Sequence, residues 1–292
     1  MGTSSTGGDS PGTADSNAGS ARESRQTDDA GPQQRQMTDA VSARLPTGGE
    51  MTLDVPSGDD IGARIGATDR PYEAIELSIV DAFLPPKPSI IDVGANIGNH
   101  SIYWALTGQA AVTAFEPYPP ALKLLNANIA RNSVTALVTS RNEAIGSSPG
   151  GAAPVPMQGN LGATRMSVDP SGPVKVISLN SLRSTHCDLL KVDVEGSELA
   201  VLQGASDILA DLRPLVWVEV LTAIDDASVR ELMIAHGYRS ALMLSPTNVL
   251  FLPRRRTMLR IGTNRNAFLG FARRSAGRLA RWTARRIPTV KP

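Results

Sequence analysis

The fold is decided by one stretch, Ser89-Ile90-Ile91-Asp92-Val93-Gly94-Ala95-Asn96-Ile97-Gly98-Asn99-His100-Ser101-Ile102-Tyr103-Trp104. Residues 89–93 make a short, nearly all-apolar run that ends on a carboxylate and a glycine, the pattern of a strand buried on both faces. Gly94 and Gly98 bracket a tight loop, and the apolar run from Ser101 to Leu106 begins a helix. A buried strand feeding a Gly-rich turn and a helix N-terminus is how α/β folds hold a nucleotide-like ligand. The glycines are expected to let the backbone approach that ligand where a Cβ would clash.

Working outward, the pattern alternates strand and helix. On the N-terminal side, T-L-D-V (52–55) and A-R-I (63–65) suggest a short strand or two, and Pro71 starts a helix that runs to Leu84 and is stopped by Pro85-Pro86. On the C-terminal side, strands are expected at 111–116, 136–139, 189–194 and 215–220. Helices are expected at 121–131, at 198–209 with an interruption near Gly204, and at 228–236. Residues 146–173, rich in Gly, Pro and Ser, read as either a substrate-side hairpin or an insertion. Residues 239–244 and 248–252 look like an antiparallel closing pair. The expected fold class is therefore α/β, a Rossmann-like doubly wound sheet with a reversed, antiparallel edge strand.

Composition bounds the rest. The 292 residues suffice for one large domain plus tails, and a single cysteine, Cys187, excludes an internal disulfide framework. Residues 1–48 are Gly-, Ser-, Thr-, Asp- and Gln-rich and read as a disordered tail. The catalytic domain is expected over 49–253 and a basic tail over 254–292. A net charge of +1 hides a segregation: residues 253–292 hold eleven Arg and one Lys without an acid, leaving 17 basic and 28 acidic groups in the remainder. There is no apolar run of about 18 residues to span a membrane. The first residues lack the basic-then-apolar order of a signal peptide, so a cytoplasmic protein is expected.

The loop chemistry narrows the ligand. Asp92, Glu116 and Glu143 follow three successive predicted strands, where open α/β sheets bind ligands. An acid about 20 residues past a Gly loop is placed to hydrogen-bond a ribose diol, and Glu116 stands there. The G-x-G-x-x-G spacing of dinucleotide sites is missing; Gly94-x-x-x-Gly98, preceded by Asp92, suits the α-ammonium and sulfonium charges of S-adenosylmethionine better than a pyrophosphate. Glu143 is placed to accept from an adenine amino group. Asn96 is weighed as either a turn residue or a backbone-orienting one, and His100 and Trp104 as helix-face packing.

These motifs resemble the FkbM family of S-adenosylmethionine-dependent methyltransferases. The matching segments are I-I-D-V-G-A-N-I-G-N-H-S (90–101), F-E-P (115–117), N-E-A-I-G (142–146), L-L-K-V-D-V-E-G-S-E-L-A-V-L-Q-G-A (189–205) and V-E-V (218–220), within a resemblance that spans about 75–252. The resemblance implies a class I methyltransferase fold and methylation of a hydroxyl on a sugar, glycolipid, polyketide or similar natural product. One departure is Asn180 in V-I-S-L-N-S-L (176–182), where an Asp is expected. The expected cofactor-binding residues are Asp92, Gly94, Ala95, Asn96, Gly98, Glu116, Pro117, Asn142, Glu143 and Ala144. A hydroxyl acceptor needs a base within hydrogen-bond reach, for which Asp193 and Glu195 are the candidates. The competing reading makes the 193–196 loop a helix cap and Glu198 a capping-box acid. No metal is expected, and Glu219 ranks as a weaker site residue.

Residues 267–287 place Phe268, Phe271, Ala272, Leu279 and Trp282 on one helical side and Arg274, Arg278, Arg281 and Arg285 on the other, while Arg286 falls on the apolar side. That pattern suits peripheral contact with an anionic membrane, an amphipathic helix docked on the domain, or polyanion binding. Two other functions are disfavoured by the sequence. Glu116-Pro117-Tyr118-Pro119-Pro120 superficially resembles the N-P-P-Y motif of amino-methylating enzymes, but it follows the second strand rather than the fourth, which disfavours nucleic acid as the substrate. A noncatalytic binding module is disfavoured by the intact loop with its three acids.

Overall fold

The computed structural model describes residues 38–157, 160–182 and 186–253; the tail expectations for residues 1–37 and 254–292 lie outside the described residues. The chain opens with a hairpin of β1 (Thr38–Arg44) and β2 (Glu50–Pro56), followed by α1 (Asp60–Thr68) and α2 (Ala74–Asp81). Next come β3 (Ser89–Val93), α3 (Asn99–Gly108), β4 (Ala111–Phe115), α4 (Pro119–Arg131), β5 (Val138–Arg141) and the two-residue β6 (Ala144–Ile145). Three antiparallel strands follow, β7 (Gly150–Met157), β8 (Asn160–Val168) and β9 (Val174–Ile177). The chain then adds β10 (Leu189–Val192), α5 (Glu198–Gln203), β11 (Leu215–Glu219), α6 (Ala223–Ala235), β12 (Tyr238–Met243) and β13 (Asn248–Pro253).

Seven strands form the main sheet in the order β12-β13-β11-β10-β3-β4-β5. β3, β4, β5, β10 and β11 are mutually parallel, and β13 runs antiparallel to both β11 and β12. The reversed strand therefore sits one place in from the edge, and the edge strand β12 runs with the others. The α/β class and Rossmann-like winding stand as expected.

Neighbouring strand residues point to opposite faces, so each strand feeds two cores. Ile90, Val112, Leu189 and Trp217 pack under the β1–β2 hairpin and α1 to α4. Ile91, Phe115, Leu190, Val216 and Val218 pack with Val201, Leu202 and Leu209 around α5, and with Val229 and Met233 of α6. Burial on both faces is why these strands read as continuous apolar runs.

Several boundaries differ from expectation. The segment read as tail begins pairing at Thr38, because β2 offers an apolar face (Met51, Leu53, Val55) against which Val41, Ala43 and Leu45 pack. A-R-I lies in α1, not in a strand: Asp59 caps that helix, its Oδ2 accepting from Ile61 N at 2.9 Å and Gly62 N at 3.3 Å. α2 starts three residues after Pro71, since Glu73 adopts φ 56° and Tyr72 is held out of the helix by Asn99 through N–H···Oδ1 (3.1 Å) and Nδ2–H···O (3.1 Å). α6 starts at Ala223, five residues early, because Thr222 caps it through Asp225 N. Residues 146–173 do fold as a hairpin, and β6-β9-β7-β8 make a separate four-stranded sheet. Among the described residues no helix is long and apolar enough to cross a membrane.

Candidate active site

Parallel register lines up the C-terminal ends of the central strands. Val93 pairs with Phe115 and Val192, and Val192 with Val218, so Gly94, Glu116, Asp193 and Glu219 all emerge just beyond one rim. There the chain turns sharply. Gly94 N and Ala95 N both donate to Phe115 O at 3.0 Å, and Gly98 N donates to Ala95 O at 2.9 Å.

The two loop glycines prove to be required by the protein itself. Gly94 has φ 83°, and a Cβ there would run into the backbone carbonyl of Asp193 on the adjacent strand end. Gly98 has φ 94°, and its Cβ would lie 2.6 Å from Leu125 Cδ1. Left-handed backbone conformation and close packing each call for glycine at these positions.

A cleft opens over this rim. Its floor includes Gly94, Asn96, Glu116, Pro117, Glu143, Ala144, Asp193 and Glu195, eight of the twelve sequence-chosen positions. Its far walls come from Asp59, Asp60 and Tyr72 on one side and from the inner face of β8 (Gly162, Thr164, Met166, Val168) on the other.

Four chosen residues lie elsewhere. Asp92 is fully buried beneath the loop: Ser101 Oγ donates to its Oδ2 at 2.7 Å, and Oδ1 faces Lys191 Nζ at 3.6 Å. Its position on the strand, one residue before the turn, points it down into the domain. Ala95 joins the apolar core, Gly98 is packed against α4, and Asn142 is exposed away from the cleft.

Glu116 holds the loop. Its Oε2 accepts from Asn96 N and its Oε1 from Tyr118 N, both at 2.8 Å. Burial pushes its carboxyl up to about 7, and those two amides offset the effect only in part. Glu143 is paired: its Oε2 accepts from Arg141 Nε at 2.6 Å and its Oε1 from Lys175 Nζ at 3.0 Å. The Arg141 bond leads in drawing that carboxyl below its usual range. Asn96 has φ 49°, and its buried Oδ1 has no hydrogen-bond partner among the described residues.

The charged centre is at the β10 end. Lys191 is almost wholly buried, with Nζ 3.0 Å from Asp193 Oδ2. Burial works to discharge this lysine, but Asp193 and Asp92 outweigh it and its pKa rises. Burial likewise opposes the Asp193 charge, and Lys191 with a hydrogen bond from Glu219 outweighs it, so Asp193 is held below the usual range. Glu219 is driven the other way, to about 8, by burial and by the Asp193 charge; Thr247 Oγ1 donates to its Oε1 at 3.0 Å. Glu195, at φ 57°, is raised by burial and by Asp193. Glu198 is buried and accepts from Gly196 N at 2.8 Å, a loop-capping role.

Beside this centre, Tyr72 is pushed up to about 12 by burial and by Glu73. Glu73 Oε2 lies 3.0 Å from His100 Nε2, and Asn248 Nδ2 donates to Glu73 Oε1 at 3.0 Å. His100 and Trp104 pack with Trp217 at centroid distances of 5.2 and 6.1 Å, as helix-face packing requires. Asn180 sits away from the cleft: its Nδ2 donates to Ser206 Oγ and its Oδ1 accepts from Asp207 N, tying the segment before β10 to the turn after α5. Among the described residues no three of His, Cys, Asp and Glu converge as a metal-binding group.

Sequence reasoning missed Tyr72, Thr164 and Lys191 and under-ranked Glu219. A lysine inside an otherwise apolar run, two residues before Asp193 in L-L-K-V-D-V (189–194), was the available signal for Lys191; the β8 roof had none.

The family model for the methyltransferase FkbM domain matches residues 92–240, just over half of the chain. The chain belongs to the FkbM methyltransferase family. The FkbM match covers the loop, Glu116, Glu143, Asp193 and Glu219 but begins after α2. No curated protein matches the chain. Among solved structures, the chain is similar to a methyltransferase FkbM of Methylobacillus flagellatus KT at 17% identity, covering 56% of this chain and 43% of that one, with a TM-score of 0.44. It is similar to a precorrin-6y C5,15-methyltransferase of Geobacter metallireducens GS-15 (15%, 61% and 85%, 0.38). It is also similar to a tRNA (uracil-54, C5)-methyltransferase of Pyrococcus abyssi solved with S-adenosyl-L-homocysteine (12%, 73% and 43%, 0.43). This chain spans less than half the length of the FkbM structure it matches.

Proposed function

We propose that this FkbM domain is an S-adenosylmethionine-dependent O-methyltransferase that acts on a hydroxyl of a sugar, glycolipid or related natural product. The observation that carries the reading is the contact between Gly94 of the loop and Asp193, a cleft-facing carboxylate kept ionised by a buried lysine. It sets a base beside the loop where the ligand of such folds is held.

The residues fit the donor. S-adenosylmethionine, when bound, supplies an electrophilic methyl group on a sulfonium. The cleft lining includes seven Asp and Glu residues and no Lys, Arg or His among the described residues, which suits a cationic ligand. Asn96 Oδ1 is a buried acceptor without a protein donor among the described residues, and Gly94, Asn96, Glu116 and Pro117 would hold the ribose and methionine portions. Ala144, with Glu143 beside it, would border the adenine; Glu143 is already shared between Arg141 and Lys175.

Asp193 would take the proton of the acceptor hydroxyl as the oxygen attacks, a contribution of about 10²–10⁴ in rate. Glu195 lines the same cleft and is the second candidate for that role. An anionic lining is poor company for phosphates, which favours an uncharged hydroxyl acceptor over nucleic acid.

Calorimetry with S-adenosylmethionine is the first test. We expect saturable binding in the wild type, retained in Asp193→Asn and weakened in Glu116→Ala; a flat wild-type isotherm refutes the enzyme. Methyl transfer from labelled donor to a panel of glycans and polyketides should be lost in Asp193→Asn. The proposal extends to residues 267–287 as a peripheral contact with anionic membrane, read from sequence. Cosedimentation with anionic liposomes should fall on removing 254–292, and unchanged binding would end that part.

A further inference from the structure

Four carboxyl groups, Asp193, Asp92, Glu73 and Glu219, cluster at and beneath the β10 end, and Asp193 and Asp92 share one ammonium. Asp193 has Lys191 Nζ at 3.0 Å. Asp92 has the same ammonium at 3.6 Å and the Ser101 hydroxyl at 2.7 Å. Glu73 has His100 Nε2 at 3.0 Å and the Asn248 amide at 3.0 Å. Glu219 has the Thr247 hydroxyl and Asp193 itself, and among the described residues it has no cationic nitrogen within salt-bridge distance.

Asp193 and Glu219 follow the paired residues Val192 and Val218 on neighbouring strands and line one cleft, with a cation beside Asp193 alone. Two carboxyl groups so placed cannot both be charged without strong mutual repulsion. One proton must stay, and it stays where no cation competes for the site. We propose that Glu219 is a positioning residue of the reaction: protonated, it donates its O–H to Asp193 and so holds Asp193 ionised and aimed into the cleft. The inference rests on the methyltransferase reading for its catalytic meaning, and on strand register and the shared cleft for the pairing.

Lys191 and His100 favour the Asp193 charge; Glu73 and Asp193 disfavour a charge on Glu219; Tyr72 stays neutral among them. Burial, with the Asp193 charge adding to it, also raises the acidic neighbours Glu116, Glu195 and Glu198. The proton balance is simple. The pair starts with one proton, on Glu219; when Asp193 takes the proton released by the acceptor hydroxyl the pair holds two, and one leaves to water through the cleft that both side chains line. Above the Glu219 pKa the pair would carry two charges, lose its internal hydrogen bond and misdirect the base.

The test reads protonation directly. Carboxyl-¹³C NMR titrations of the full chain would compare wild type with the isosteric variants Glu219→Gln and Asp193→Asn, with circular dichroism confirming that each folds. We expect a wild-type carboxyl with a midpoint near pH 8 that Glu219→Gln removes, while the Glu116 titration near 7 remains. Asp193→Asn should lower the Glu219 midpoint by about one pH unit or more, since it removes the neighbouring charge. A Glu219 titration in the ordinary carboxylate range, or a midpoint indifferent to Asp193→Asn, overturns the pairing. S-adenosylmethionine isotherms on the same samples separate the two ideas. Normal binding without coupled titration sinks the pair alone; a flat isotherm with coupling intact sinks the methyltransferase reading and the pair's catalytic meaning with it.

Discussion

Removing the Asn128 side chain should cost the domain about 3 kcal/mol, at about 1 kcal/mol per hydrogen bond. Asn128 lies on α4 and is fully buried. Its Oδ1 accepts from Asp54 N at 2.7 Å, and its Nδ2 donates to Asp54 O at 3.0 Å and to Ile97 O at 2.9 Å. One turn later Asn132 repeats the device on Thr52, with Oδ1 accepting from Thr52 N at 3.0 Å and Nδ2 donating to Thr52 O at 2.7 Å. Four helical residues rise about 6 Å and two strand residues about 6.8 Å, so the two amides meet alternate residues of the β2 edge. They satisfy that edge as a neighbouring strand would.

Asn128→Ala leaves one backbone N–H and two carbonyls without these partners, and the Ile97 bond is wholly buried. With typical domain stabilities of about 5–15 kcal/mol, a loss of about 3 is large and visible by urea denaturation. Asn132→Ala breaks two bonds to partly buried groups and should cost about 1–2 kcal/mol. Asn128→Asp should be worse than Ala, because it sets a carboxylate against two carbonyl oxygens. The double alanine variant should depart from additivity by about 0.5 kcal/mol or more, since both residues serve one strand. A loss under about 1 kcal/mol for Asn128→Ala, or equal losses at the two positions, would refute the edge-satisfaction account.

Other outcomes follow from the same structure. Gly94→Ala forces an alanine to φ 83° and its Cβ into the Asp193 carbonyl; it should destabilise by more than about 3 kcal/mol or fail to fold, read by thermal melting. Lys191→Met removes the shared cation of Asp92 and Asp193 and should cost about 3–5 kcal/mol at pH 8, less at pH 5, by urea titration at both. Asp81 is pushed up to about 6 by burial, more than the Tyr103 hydroxyl bond at 2.6 Å offsets. Its folded pKa exceeds the unfolded one, so the folded state binds more protons between about 4 and 6 and stability falls as pH rises through that window. Asp81→Asn should flatten that segment of the curve by roughly 2 kcal/mol, and an unchanged slope would contradict it.

What could be read beforehand follows from period and register. Four of the five parallel strands were legible because they are buried on both faces and appear as apolar runs, whereas the edge strand β5, V-T-S-R, is only partly buried. Asp92 was misplaced because sequence shows that a carboxylate ends a strand, not whether it points up into a cleft or down onto Ser101. Asn142 and Glu143 are neighbours on the chain, yet one faces solvent and the other the cleft; a one-residue alternation decides it. α1 was misread because the cap at Asp59 outweighs the β-prone A-R-I segment, and β1 because its partner lies across Gly48-Gly49. The β8 roof depends on tertiary pairing with no local mark.

Gly94 rests on Asp193 with no side chain between them. The loop that would hold the donor and the strand end that would carry the base are thus gauged by main chain on main chain, a spacer of zero length. Side-chain rotamers relax on fast timescales, whereas two hydrogen-bonded strands move only as a slab. Any change of distance between donor and base must therefore shear β3 against β10. Variation in the selectivity of the proposed activity should accordingly accumulate in the walls, at Asp59–Tyr72 and along β8, which can be exchanged without disturbing that gauge.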